Sequence, residues 1–134
     1  MQYWLVKTEP EEYSFDDLVS DGEAMWDGIR NYQARNYLKL MKKNDKVFVY
    51  HTGDNKEIIG LAEVLKEHYL DPKDKTGTWV VVNLKPINKL NKSVRLDQIK
   101  FLPKLSKLPL LKQSRLSVMP ISKNEYDEIL KISK

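Results

Sequence analysis

KVFVYHTGDNKEIIGLAEVLK, residues 46–66, decides the fold class. Branched and aromatic residues fill Lys46–His51, Gly53-Asp54-Asn55 follows as a turn signal, and a second run of the same kind occupies Glu57–Lys66. Two such runs around a short Gly-containing loop predict a β-hairpin. A third run, Thr78–Pro86 (TWVVVNLKP), is expected to pair with it across the polar loop DPKDKTG. Working outward, Tyr3–Lys7 (YWLVK) reads as a strand stopped by Pro10, and Arg115–Pro120 (RLSVMP) as a short returning strand.

Helical patterns stand between these runs. Ser14 with Asp17 resembles a capping box and Asp21-Gly22 a stop, which predicts a short helix over 15–20. A longer helix is expected from about Arg30 to Asn44, a residue type that tolerates the left-handed conformation at a helix end. Its apolar stripe is Ala34, Tyr37, Leu38 and Met41, and Arg30 and Asn31 project onto the same side one turn earlier. Ser122 with Glu125 caps a closing helix whose apolar face is Tyr126, Ile129 and Leu130. Residues 94–112, broken by Pro103 and Pro109, read as a helical turn and a meandering connection. Strands near both ends, hairpins between them and no βαβ alternation predict an α+β fold, a barrel-like and mainly antiparallel sheet with helices packed around it. At 134 residues the chain is expected to be a single domain, residues 1–134.

Composition excludes several functions. There is no cysteine, hence no disulfide framework, thiolate zinc site or cysteine nucleophile. His51 and His68 are the only histidines and lack helical His-x-x-x-His spacing, so no metal is expected; with five glycines there is also no phosphate-cradling loop, and no cofactor is expected. No apolar run approaches the roughly 18 residues of a membrane span, and the first ten residues lack the pattern of a secretory signal. The reading is a cytoplasmic protein, nuclear if from a nucleated cell, with no membrane partner, and a monomer or weak dimer.

The net charge of +4 is unevenly distributed. Residues 8–29 carry Glu9, Glu11, Glu12, Asp16, Asp17, Asp21, Glu23 and Asp27 and no basic residue. All 23 lysines and arginines lie elsewhere, beside the remaining 11 acidic residues, enough to form a phosphate-facing surface if they share a face. WDGIRNYQARNYLKLM, residues 26–41, adds Trp26, expected on a turn set by Asp27-Gly28, and a helix rich in hydrogen-bonding side chains. Nucleobases are held by stacking on aromatic rings and by hydrogen bonds to their edges, so Trp26 beside polar residues suits a base pocket.

Five segments then carry a resemblance over essentially the whole chain: YWLVKTEPEEYSFDDL, WDGIRNYQARNYL, YHTG with IIGLAEV, the YLDP turn, and QSRLSVMPIS. In order and spacing they resemble the EVE domain family, which implies a PUA-like pseudo-barrel and, more distantly, kinship with the YTH domain. The resemblance implies recognition of a modified base in DNA or RNA, methylated or hydroxymethylated cytosine foremost and methylated adenine next. Site residues carry over by position. Lys7, Thr8, Glu9 and Pro10 match the family's Lys-Ser-Glu-Pro, with threonine for serine, and Trp26 takes the place of the YTH pocket tryptophan. Arg30, Asn31 and Arg35 match its Arg-Asn-x-x-Ala-Arg helix, and His51 its Tyr-His strand end. Arg115 with Ser117 matches its Arg-Leu-Ser segment. Tyr69 falls where the family has Tyr-Pro-Asp, as a second wall of the cage, and Asn44 where it usually has glycine.

Two other classes compete with a non-enzymatic reader. A small hydrolase acting on a nucleotide or ester would assemble Glu9, His51 and Ser117, since triads are made in space. A PUA-like RNA-binding or protein-interaction module would instead expose an apolar patch at FLPKLSKLPLL, residues 101–111.

Overall fold

The hairpin at 46–66 forms and outruns its pattern. In the computed structural model, which describes residues 1–134, β3 (Lys46–His51) pairs antiparallel with β4 (Glu57–Leu70), and β4 with β5 (Val80–Arg95). β1 (Tyr3–Thr8) lies parallel to β3, a pairing that requires a crossover connection. Residues between Thr8 and Lys46 supply it through α1 (Phe15–Asp21), β2 (Ala24–Trp26) and α2 (Tyr32–Leu40). β6 (Val118–Ile121) pairs antiparallel with β1, β2 with β5, and the sheet order is β2-β5-β4-β3-β1-β6. The α+β class is as expected.

The β4–β5 ladder shifts register between Ile58 and Gly60, Leu61 and Ala62, Val64 and Lys66, and Lys66 and Tyr69. Such irregularities bend a strand and increase its twist. The sheet curls until its β2 edge and its β1–β6 edge line opposite sides of one cleft. Apolar side chains are buried on both faces of the sheet: the paired Leu5, Phe48 and Met119 share one face, and Phe15 lies on the other. Phe15 lies against the backbone of Gly60, where no side chain intervenes.

α1 has the expected capping box, Ser14 accepting from Asp17 N and Asp17 from Ser14 N, and ends on left-handed Gly22. α2 is shorter than expected at both ends. Asn31 is its cap, accepting from Ala34 N at 2.9 Å, so it does not sit on the inward helix face. At the other end the backbone becomes extended at Met41, and left-handed Asn44 (φ 74°) follows in a separate turn. A buried carboxylate supplies the reason. Asp45 accepts from Gln2 N and Nε2, Trp4 Nε1 and Lys42 N at 2.9–3.1 Å, a set of bonds that draws the chain out of the helix early.

Residues 96–112 make three short turns: α3 (Leu96–Ile99), a 3-10 turn (Pro103–Leu105) and α4 (Pro109–Lys112). Leu105, Leu108 and Leu110 are buried and only Phe101, 84% exposed, stands out, so 101–111 is not the apolar patch of a protein-interaction module. The closing helix α5 (Lys123–Ile132) has its capping box and buries Ile129, with Tyr126 packed on Phe48. No helix is long and apolar enough to cross a membrane.

Candidate functional site

A cleft of about 780 Å³ opens where the two sheet edges face each other, within the roughly 300 to 1,000 Å³ of small-ligand sites. Lys7, Thr8 and Glu9 at the end of β1, with Ser117 just before β6, form one side. Ala24, Met25 and Trp26 of β2 and the following Asp27, Gly28 and Ile29 form the other. Trp26 was expected on a turn; it closes β2 instead, opposite Val82, and the turn follows with Gly28 at φ 76°. A three-residue strand is too short for alternation to reveal it. Trp26 is only 7% exposed, both a core residue and a wall of the cleft.

The second aromatic wall is Tyr13, its ring edge-on to Trp26 with centroids 6.2 Å apart and planes at 80°. Its hydroxyl donates to Asp21 Oδ2 at 2.7 Å. Burial first, then that hydrogen bond and the Asp21 charge, push the phenol well above the ordinary range, so it stays a donor. Thr8 Oγ1 donates to the Tyr13 carbonyl at 2.6 Å and so ties the β1 end to this wall. The Ser117 carbonyl accepts from Lys7 N at 2.9 Å, while its hydroxyl has no partner within the protein. Lys7 Nζ donates to the Ser114 carbonyl at 3.0 Å, and burial lowers its pKa.

The acidic segment of the sequence gathers here. Glu9, Glu12, Asp21, Glu23 and Asp27 line the cleft, with Lys7 as the only cation among them. Glu9 Oε2 accepts from Thr52 Oγ1, Glu23 Oε2 from Asn83 Nδ2, and Asp27 Oδ2 from Lys73 Nζ. A carboxylate has about four acceptor positions, so capacity remains for a ligand's N–H groups.

Of the residues singled out in the sequence, Lys7, Thr8, Glu9, Trp26 and Ser117 come together in the cleft, and the others do not. Tyr69 donates to Asn83 Oδ1 at 2.6 Å on the β4–β5 ribbon, with Lys66 over its ring, so it is not the second wall. Tyr13 takes that place; its signal was the tyrosine immediately before the Ser14 cap. Arg30 precedes α2, and its Nη1 donates to the Ile29 carbonyl and to the buried Asp71 Oδ2, each at 3.0 Å. Arg35 lies over the Tyr32 ring and donates to Asn36 and the Thr78 carbonyl. Asn31 and Arg115 share a separate polar depression of about 320 Å³ with Gln33 and Lys112.

His51 lies outside the cleft, so it does not join Glu9 and Ser117 as the hydrolase arrangement requires. Its Nε2 accepts from Phe15 N at 3.0 Å, which makes it the neutral fastener between β3 and α1. Burial lowers its pKa below the usual 6.5. Below pH 6.5 the unfolded chain then takes up a proton that the folded chain resists, so stability is full above that pH and falls as pH drops toward the folded value. Thermal melts should show a lower midpoint at pH 5 than at pH 7. His51→Ala, which leaves the Phe15 amide without its acceptor, should cost about 1 to 3 kcal/mol at neutral pH and flatten that dependence. An unchanged pH profile in the variant would remove His51 from this role.

The sequence matches the family described as EVE domain over residues 2–132. Mouse (Mus musculus) thymocyte nuclear protein 1 is 31% identical, the match covering 97% of this chain and 73% of that protein. A hypothetical protein from Leishmania major superimposes with a TM-score of 0.93 at 36% identity, covering 99% of this chain and 94% of that one. The crystal structure of human THYN1 protein in complex with 5-methylcytosine-containing DNA superimposes with a TM-score of 0.93 at 28% identity, covering 100% of this chain and 98% of that one.

Proposed function

The chain belongs to the EVE domain family, and on that footing we propose that it binds nucleic acid and takes one modified base into the cleft beside Trp26. Methylated or hydroxymethylated cytosine is the favoured base and methylated adenine the second. The observation that carries the reading is the cleft itself: an aromatic wall crossed by a second ring, apolar Ala24, Met25 and Ile29 beside it, and carboxylates around the rim. The human relative whose structure contains 5-methylcytosine DNA matches this chain from end to end.

The lining also bears on which base enters. Cytosine N4 and adenine N6 carry amino groups, whereas guanine O6 and thymine O4 are acceptors. Carboxylates such as Glu9 only accept, so they favour the amino edge and oppose the keto edge. The Ser117 hydroxyl can both donate and accept, and Thr8 keeps acceptor capacity, which suits the rest of a base edge. An added methyl against the apolar wall is worth about 0.8 kcal/mol, or roughly fourfold. Binding is favoured over hydrolysis because His51 Nε2 is engaged by Phe15 N and so is not available to Ser117 as the histidine of a Glu9–His51–Ser117 arrangement.

Short single- and double-stranded oligonucleotides, each with one modified base, test this by fluorescence anisotropy at moderate salt. The preference for the best modified base over its plain parent should be roughly 3- to 10-fold, a range that contains the fourfold contributed by one buried methyl. Equal affinity for all of them would end the reader hypothesis.

A further inference from the structure

Four side chains next to the cleft belong to none of its walls. The Tyr32 and Trp79 rings lie 5.0 Å apart with planes inclined by 36°. Arg30 stands over Trp79 at 5.7 Å and Arg35 over Tyr32 at 5.0 Å. Tyr32 is 62% exposed although it opens α2 beside a tryptophan. Arg35 takes part in no salt bridge; it bonds only to the neutral Asn36 side chain and the Thr78 carbonyl, so its charge is free for a partner.

This cluster is held in place relative to the cleft. Trp79 ends a loop organised by Asp74, whose Oδ2 accepts from Thr78 N at 2.9 Å and Trp79 N at 2.8 Å and whose Oδ1 accepts from Thr76 N and Oγ1. Two ion pairs tie the loop to the cleft, Lys73 with the lining Asp27 at 3.1 Å and Asp71 with Arg30, the residue after the lining Ile29, at 3.0 Å. Ile29 lines the cleft and Tyr32 follows three residues later, a span of at most about 10 Å. That is within reach of a nucleotide adjoining the one in the cleft.

Charge decides the side from which a strand can approach. Glu9, Glu12, Asp21, Glu23 and Asp27 repel phosphates along the cleft rim, whereas Arg35, which has no acidic partner, attracts them beyond Ile29; the charge of Arg30 is compensated by Asp71. Resting on the base-reading role of the cleft, we infer that Tyr32 and Trp79 with Arg30 and Arg35 form a stacking platform for the nucleotide adjoining the bound base. The base stacks on Tyr32 whatever its identity, because every base has a π-face. The Arg35 guanidinium it displaces from the ring turns to the phosphate. The platform therefore adds affinity for a strand without adding selectivity for the modification, and it sets the strand's path away from the acidic rim.

Two probes separate these contributions: 5-methyl-2′-deoxycytidine monophosphate, and a seven-nucleotide single strand with 5-methylcytosine at its centre beside its unmethylated twin. Tyr32→Ala, at an exposed position, should weaken binding of both strands about fivefold or more, leave the methylated-to-plain ratio unchanged and leave the mononucleotide affinity unchanged. Tyr32→Phe should restore strand binding. Asp74→Ala, which frees the Trp79 amide, should reproduce the loss. Arg35→Ala should lower the slope of log affinity against log salt by roughly one. Tyr32→Ala binding both strands as the parent does, with the methyl preference intact, overturns the platform and leaves the reader standing. Loss of strand affinity on Tyr32→Ala with no methyl preference in either protein upholds the platform and overturns the reader.

Discussion

With Trp26 replaced by leucine, the protein is expected to remain folded and to lose most of its preference for a modified base. Leucine is the informative substitution because Trp26 also belongs to the core, and truncating a buried tryptophan to alanine costs about 3 to 5 kcal/mol. Leucine keeps part of the apolar filling and removes the π-face. Stacking of one base on an aromatic side chain contributes about 1 to 3 kcal/mol, so the affinity for the favoured oligonucleotide should fall by roughly fivefold to more than a hundredfold. The plain parent, which gains less from the wall, should lose less, and the ratio should approach one. Anisotropy titrations on both oligonucleotides measure this, with circular dichroism confirming the fold. Tyr126→Phe is the matched control: its ring packs on Phe48, away from the cleft, so loss of its hydroxyl should change neither value. A folded Trp26→Leu protein that still prefers the modified base would place the base elsewhere.

A large loss of stability is expected from a single methyl group at Gly60. A Cβ there would stand 2.5 Å from Phe15 Cε1 and 2.6 Å from Cδ1, and nearer still to Cζ. The ring cannot withdraw easily. Phe15 is fully buried, its amide donates to His51 Nε2, and the Ser14 capping box fixes the turn in which it sits. Overpacking of this kind costs about 1 to 3 kcal/mol and occasionally more, and the upper end applies here. Urea denaturation of Gly60→Ala should show a midpoint lowered by the equivalent of about 3 kcal/mol, a large share of the 5 to 15 kcal/mol that typically holds a domain together. Gly60→Ala combined with Phe15→Leu should be more stable than the two separate losses predict, since the smaller side chain relieves the clash. Additive losses would mean that the two positions do not touch.

The parts of this fold that the sequence disclosed are those in which neighbouring residues decide the structure. The capping boxes at Ser14 and Ser122, the 46–66 hairpin and the buried face of Ala34, Leu38 and Met41 are all local patterns, and all appear. What was misread depends on contacts distant in sequence. The early end of α2 follows from Asp45 meeting Gln2 and Trp4 some forty residues away, and no window along the chain contains that. Resemblance brought Lys7, Thr8, Glu9, Trp26 and Ser117 to one cleft, but it cast Tyr69 as a wall where Tyr13 serves. Tyr13 is near Thr8 in sequence, yet its position against Trp26 is set by how far the sheet curls. The acidic segment was legible as composition; its gathering around one opening was not.

The cleft is the unsealed seam of a cylinder, and its width is consequently a property of the cylinder's circumference. Four register irregularities bend the β4–β5 ribbon, which lies between the two lips in the sheet order. One residue added to or removed from that ribbon alters the roll and moves the β2 lip relative to the β1–β6 lip without changing the identity of any lining residue. Aperture and chemistry are thus separately adjustable: the lips determine which atoms a guest meets, and a ribbon on the far wall determines how thick a guest is admitted.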